Sequence, residues 1–203
     1  MTYGINKIAT AALLASTFVL SGCFGGGSGS GGIGGPGPIV TIPDPDGEPT
    51  GPIGSRVEAT YSGNMAATFR EGGSDGEVTT VAGTLSLDID TDRVGPQIVA
   101  SATGFSGSVT SSSGTENFDL DGSLAGEGSV DMDAGSVNFG LSGVVNVAGI
   151  PDENANVDLT GNGTFFGADA EQIDGTLTGR IFGEDDDGAW SDAGDGTFLL
   201  IVE

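Results

Sequence analysis

The chain has 203 residues, with 29 acidic side chains against five lysines and arginines and a formal net charge of −24. Such a charge makes nucleic acid and anionic lipid headgroups poor partners. There is no histidine and only one cysteine, which excludes internal disulfides, Ser-His-Asp and Cys-His catalysis and the usual zinc sites. The one lysine, Lys7, lies in a segment that we expect to be removed, so the mature chain could not form a lysine Schiff base. We therefore expect no cofactor and no enzymatic activity.

Residues 1–22 have the pattern of a lipoprotein signal peptide. Lys7 precedes an apolar run over 8–20, which is too short to span a bilayer, and small residues lead into Cys23. This lipobox predicts cleavage before Cys23 and acylation of its thiol; an ordinary secretory signal with an incidental cysteine is the alternative. Phe24 stands where the inner-membrane retention signal of Gram-negative lipoproteins has aspartate, so we expect an outer-membrane lipoprotein at the cell surface.

Residues 23–55 are predicted to form a lipid-anchored linker. The segment over 25–35 is almost entirely glycine and serine, and most of the prolines of the chain follow it over 36–52. Such a composition buries little apolar surface and predicts a disordered tether. The tether would hold the following domain away from the membrane, where it can meet a partner.

From residue 56 to residue 203 the sequence alternates between apolar and polar side chains. Leu85, Leu87 and Ile89 share one face of a predicted strand, and several later segments repeat this period of two. We predict one all-β domain, an antiparallel barrel of about eight strands, with a sandwich as the alternative. The apolar segment 197–202 would be the closing strand. Glycines within the predicted strands suit the bends of a small barrel; they are Gly83, Gly122, Gly143, Gly163 and Gly179.

Two acidic segments offer enough oxygen ligands to be compared with calcium sites. Asp88, Asp90 and Asp92 have the spacing that begins an EF-hand loop, but Arg93 occupies the place of the required glycine. The second segment, 184–188, is a dense run of acids before a glycine, which is typical of a solvated hairpin. We therefore predict no metal site, and solubility is the favoured explanation of the charge.

One segment of the C-terminal third resembles the barrel lobes of transferrin-binding protein B and related Gram-negative surface lipoproteins. The matching residues are Phe165-Phe166-Gly167, Ala170-Glu171 and Gly175. The resemblance implies a β-barrel with one short helical turn near 168–173. It also implies a lipid-anchored role in capturing iron, a solute or a host protein.

The predicted function is that of a surface-tethered, non-enzymatic binding module. Its contacts would lie in loops at one end of the barrel, around 93–97, 150–154 and 184–195, with a protein or small solute as partner. The candidate binding residues are Trp190, Asp185, Asp186 and Asp187, with Trp190 either capping the barrel mouth or exposed as a contact. The alternative is a structural or shielding envelope lipoprotein without a specific ligand.

Overall fold

The computed structural model describes residues 47–54, 56–70, 77–111, 114–147, 154–185 and 188–203. The predicted signal peptide, Cys23 and most of the predicted linker lie outside these ranges. Within them the protein is all β. No helix in the described ranges is long and apolar enough to cross a membrane.

Eight antiparallel strands form a closed barrel, in which each strand pairs with the next along the chain and the last pairs with the first. The strands are β1 (Glu58–Arg70), β2 (Val78–Asp90), β3 (Ile98–Ser111), β4 (Gly114–Asp131), β5 (Ser136–Val147), β6 (Asn154–Phe166), β7 (Gln172–Asp185) and β8 (Gly188–Val202). The predicted barrel is confirmed over the sandwich. The predicted closing segment lies in β8, where Phe198 and Leu200 are completely buried.

Side chains alternate between the barrel interior and the outer wall. In β2, Leu85, Leu87 and Ile89 are buried, whereas Thr84 before Leu85 and Asp88 before Ile89 are exposed. Most other outward positions hold serine, threonine, asparagine or aspartate. Barrels that span membranes have the reverse arrangement, with an apolar band facing outward.

Aromatic side chains fill the interior where a neighbouring strand has glycine. A Cβ atom added to Gly83 would lie 2.6 Å from the ring of Phe105, and the same relation pairs Phe118 with Gly107, Phe139 with Gly161, Phe69 with Gly194, and Phe198 with Gly163 and Gly175. At Gly122, Gly143 and Gly179 an added Cβ would instead meet a carbonyl oxygen of the neighbouring strand. Glycine thus gives this small barrel room for rings and for close backbones, as predicted.

A bulge in β3 changes which of its residues face inward. Gly104 and Phe105 together lie opposite Gly83 of β2, where the register of the two strands shifts. Gly104 has a φ of 65°, so glycine is required for this bulge geometry. Because of the extra residue, Ala102 and Phe105 both face the interior, and Phe105 reaches the space beside Gly83.

The described chain begins at one end of the barrel, which we call the tether end. The connections β2–β3 (91–97), β4–β5 (132–135) and β6–β7 (167–171) lie at this end. The N–H of Thr50 donates to the carbonyl of Phe165, and the N–H of Ile53 donates to that of Met132, each at 2.8 Å. Residues 47–54, which the sequence assigns to the linker, are therefore fastened across the tether end. The opposite end, which we call the distal end, holds the strand ends Arg70 and Val78, Ser111 and Gly114, Val147 and Asn154, and Asp185 and Gly188.

The predicted short helical turn lies at the tether end as a non-helical turn. It covers 167–170, and β7 begins soon afterwards, at Gln172. Ala170 has a φ of 57°, which is unusual for alanine, and its carbonyl accepts a 2.7 Å hydrogen bond from the Tyr61 hydroxyl. Tyr61 also packs edge-on against Phe165, with ring centroids 5.8 Å apart. Burial raises the pKa of Tyr61 to about 12.

Candidate functional site

Trp190 does not lie in a loop, so the prediction of a long acidic loop over 184–195 is wrong. Trp190 belongs to β8, pairs with Gly183 of β7 and packs against the buried core. A Cβ on Gly183 would lie 2.8 Å from its ring. The half-buried indole therefore covers the interior at the distal end, which agrees with the cap arrangement.

Of the three acidic candidates in the β7–β8 hairpin, only Asp185 lies within the described residues. Asp185 is the last residue of β7 and pairs with Gly188, the first of β8. Asp186 and Asp187, which join them, lie outside the described residues. Glycine, alanine and aspartate in the next part of β8 have low intrinsic strand preference, but the paired neighbours β7 and β1 hold this segment in the sheet.

The three predicted binding loops do not meet at one end of the barrel. The connection that includes 93–97 follows β2 and lies at the tether end. Residues 150–153 and 186–187 of the other two predicted loops lie outside the described residues. The strand ends that flank them, Val147 with Asn154 and Asp185 with Gly188, lie at the distal end. In a meander successive connections alternate between ends, which separates the first loop from the other two.

The EF-hand-like acids at the tether end are paired with arginine. Arg93 donates to a carboxylate oxygen of Asp88 at 2.7 Å, and Arg56 lies within 3.4 Å of carboxylate oxygens of Glu58, Asp90 and Asp92. No group of three or more metal-ligating side chains within the described ranges could hold an ion. These acids therefore contribute to a network of surface ion pairs.

The barrel interior is packed with apolar side chains. A cavity of about 20 Å³ lies between residues such as Met65, Phe105, Leu124 and Ile181. That is room for about one water molecule, far below the 300 Å³ or more of typical small-molecule pockets. This cavity is too small to hold a solute.

The outer wall has a groove of about 510 Å³ across β6, β7 and β8, in the half of the barrel nearer the distal end. Ser191 and Ala193 of β8 are small and leave it open. The residues that line it are Asp158, Leu159, Thr160, Gly179, Arg180, Ser191 and Ala193. The groove is largely open to solvent, and hydroxyl, carboxylate and guanidinium groups surround it.

Arg180 is the cationic side chain of this groove. It lies opposite Asp158 in the β6–β7 register, with 3.4 Å between its Nη2 and the Asp158 Oδ2. Its guanidinium carbon lies 4.7 Å from the ring centroid of Phe182, two residues further along β7. The aromatic ring orients the guanidinium, and the long ion pair leaves donors available to a ligand.

Comparison with protein-family models, curated proteins and solved structures found no match. The groove residues are scattered over three strands, and none was a candidate from the sequence. Asp158 and Arg180 are opposite each other only because of the β6–β7 register. Alternation could have placed both on the outer wall, but their pairing depends on where the intervening turn falls.

Proposed function

We propose that this chain is a lipid-anchored outer-membrane protein whose barrel acts at the cell surface as a non-enzymatic binding module. The observation that carries the proposal is the attachment of 47–54 across the tether end. A tether that begins at an acylated Cys23 would reach the barrel there. The distal end and the nearby groove would then be the parts of the barrel furthest from the membrane attachment.

Composition and fold both support binding without covalent chemistry. The chain has no histidine, and Lys7 lies in the predicted signal peptide, so the mature protein would lack histidine bases and lysine nucleophiles. The closed eight-stranded barrel agrees with the fold implied by the resemblance to transferrin-binding protein B lobes. By that analogy, capture of a solute or protein from outside the cell is the proposed role, and iron is one candidate cargo.

Thiol labelling on intact cells tests the anchor and the surface location together. Acylation of the only native cysteine leaves an introduced cysteine as the only free thiol. Ser123→Cys on the exposed side of β4 should react with a membrane-impermeant maleimide before the outer membrane is permeabilised. Ala100→Cys, at a position only 1% exposed, is the matched control and should react only after unfolding.

The anchor is tested separately with Cys23→Ser. This variant should leave the membrane fraction, and intact mass spectrometry of the native protein should show cleavage before Cys23 and an added lipid mass. Labelling of Ser123→Cys only after permeabilisation would overturn the surface location. A Cys23→Ser protein that stays membrane-bound would overturn the anchor.

A further inference from the structure

We propose that the outer wall binds an oxyanion between Arg70 and Arg180, across Ala193, as part of a hydroxyl-rich solute such as an acidic saccharide. The inference rests on the proposed binding function and names its ligand class. Ala193 of β8 pairs with Arg180 of β7 on one side and with Arg70 of β1 on the other. All three residues are outward: Ala193 and Arg70 are exposed, and Arg180 lines the groove. We call this arrangement the arginine slot.

The spacing of the arginine slot suits an oxyanion. Neighbouring strands lie about 4.8 Å apart, so the two arginine Cα atoms are separated by roughly 10 Å. The methyl group of Ala193 leaves the space between them open. A single planar guanidinium matches two oxygens of a carboxylate or phosphate, which makes arginine the preferred partner of these groups, and two arginines flank the space over Ala193.

The other two arginines of the barrel are already paired with acids. Arg56 and Arg93 bond carboxylates at the tether end. In contrast, Arg180 has only its 3.4 Å contact with Asp158, and no ion pair joins Arg70 to any acid within the described ranges. In a chain with 29 acidic side chains, two neighbouring arginines with such loose pairing mark a place where an external anion can bind.

The surroundings of the arginine slot define the rest of the ligand. Thr160 and Ser191 supply hydroxyl groups to the groove beside Arg180, and these can exchange hydrogen bonds with the hydroxyls of a sugar. Two carboxylates lie nearby: Asp158 is beyond Arg180, and Asp195 is two residues along β8 from Ala193. These acids and the net charge of −24 oppose an anion, so we expect weak binding that salt weakens further.

Nuclear magnetic resonance titration of the full-length protein in detergent tests the proposal. The probes are galacturonate for a carboxylate, glucose 6-phosphate for a phosphate, and glucose as the neutral control. Either anionic sugar should shift the amide signals of Gly179, Ser191 and Ala193, whereas glucose should not. The stronger of the two anionic probes identifies the oxyanion. Equal shifts with glucose, or no shifts with any probe, would overturn the arginine slot.

Matched variants separate the arginine slot from a general charge effect. Arg70→Gln and Arg180→Gln should each weaken binding by about tenfold or more, because each removes a charge-assisted hydrogen bond. Arg56→Gln removes the same charge at the tether end and should leave the affinity within about twofold. Ala193→Leu should block the slot without changing charge. If Arg56→Gln weakens binding as much as Arg70→Gln, the slot is wrong.

Asp158→Asn distinguishes anion binding by Arg180 from a purely structural role of the Asp158–Arg180 ion pair. Because Asp158 competes for Arg180, its neutralisation should strengthen binding by a few fold; weaker binding would contradict the slot.

The sugar titration does not depend on where the protein lies in the cell, and the thiol labelling does not depend on which ligand the protein binds. Surface labelling without sugar binding would refute the slot alone, and sugar binding without surface labelling would refute the location alone.

Discussion

Inside the barrel, aromatic rings pack against glycines, and the ring and the glycine of each pair belong to neighbouring strands. Trp190 over Gly183 closes the distal end, and Phe105 over Gly83 fills the space beside the β3 bulge. An alanine at either glycine would place its Cβ within 2.8 Å of ring atoms. Sequence alternation predicts which residues face inward, but these pairs depend on register, which the sequence alone does not determine.

Tyr61 joins the tether-end turn to the barrel through its hydroxyl, so its loss should be measurable. Tyr61→Phe leaves the buried carbonyl of Ala170 without this donor, and we expect the free energy of unfolding at neutral pH to fall by about 1–3 kcal/mol. Urea unfolding of the mature protein measures this change. Thr60→Ala, at the neighbouring outward position, is the control and should change stability little.

The same side chain should make the protein sensitive to alkali. Burial raises the pKa of Tyr61 to about 12, above its usual value of 10.0, so the unfolded chain releases the proton first. Its contribution is fully present below pH 10.0 and is lost as pH rises through about 12. Stability should fall over this range in the parent and less steeply in Tyr61→Phe. Equal pH slopes in the two proteins would contradict the assignment.

Strand β8 shows what can and cannot be predicted for a whole element. Its apolar part, 197–202, was recognisable because such a run suits a buried strand. Its first part is rich in glycine, alanine and aspartate, and for 188–195 this composition predicts a loop. There the inward glycines Gly194 and Gly196 meet Phe69 and the backbone of β1, so the small residues mark close packing within a strand.

Removal of the closing segment should open the barrel. A chain that ends at Gly196 loses Phe198 and Leu200 from the core and much of the pairing with β1 and β7. Because the exposed edges of those strands would be unpaired, we expect no cooperative thermal transition in circular dichroism. The milder Phe198→Ala should fold with a loss of about 3–5 kcal/mol, and Thr197→Ala should be nearly neutral. A cooperative melt of the truncated chain would show that closure is dispensable.

At the scale of the whole molecule, the order of connections determines what the two ends present. A meander of eight strands places every second connection at the same end. The first and last described segments both lie at the tether end, where the Val202 N–H donates to the Glu171 carbonyl. Strand number and order were predictable from the sequence, and the separation of the loop at 93–97 from the other two follows from that order. The groove was not predictable, because it depends on register across three strands.

The charge of the whole molecule should make its stability depend on salt without preference for calcium. Acids outnumber basic residues by 24, so their mutual repulsion destabilises the compact state and added ions should relieve it. We expect the Tm of the purified protein to rise by a few degrees between about 10 mM and about 500 mM NaCl, since screening shortens the range of the repulsion. CaCl2 and MgCl2 at equal concentration should raise it equally, because the described residues include no cluster suited to a metal ion. A larger effect of calcium that disappears in the double variant Asp186→Asn, Asp187→Asn would instead identify the β7–β8 hairpin as a calcium site.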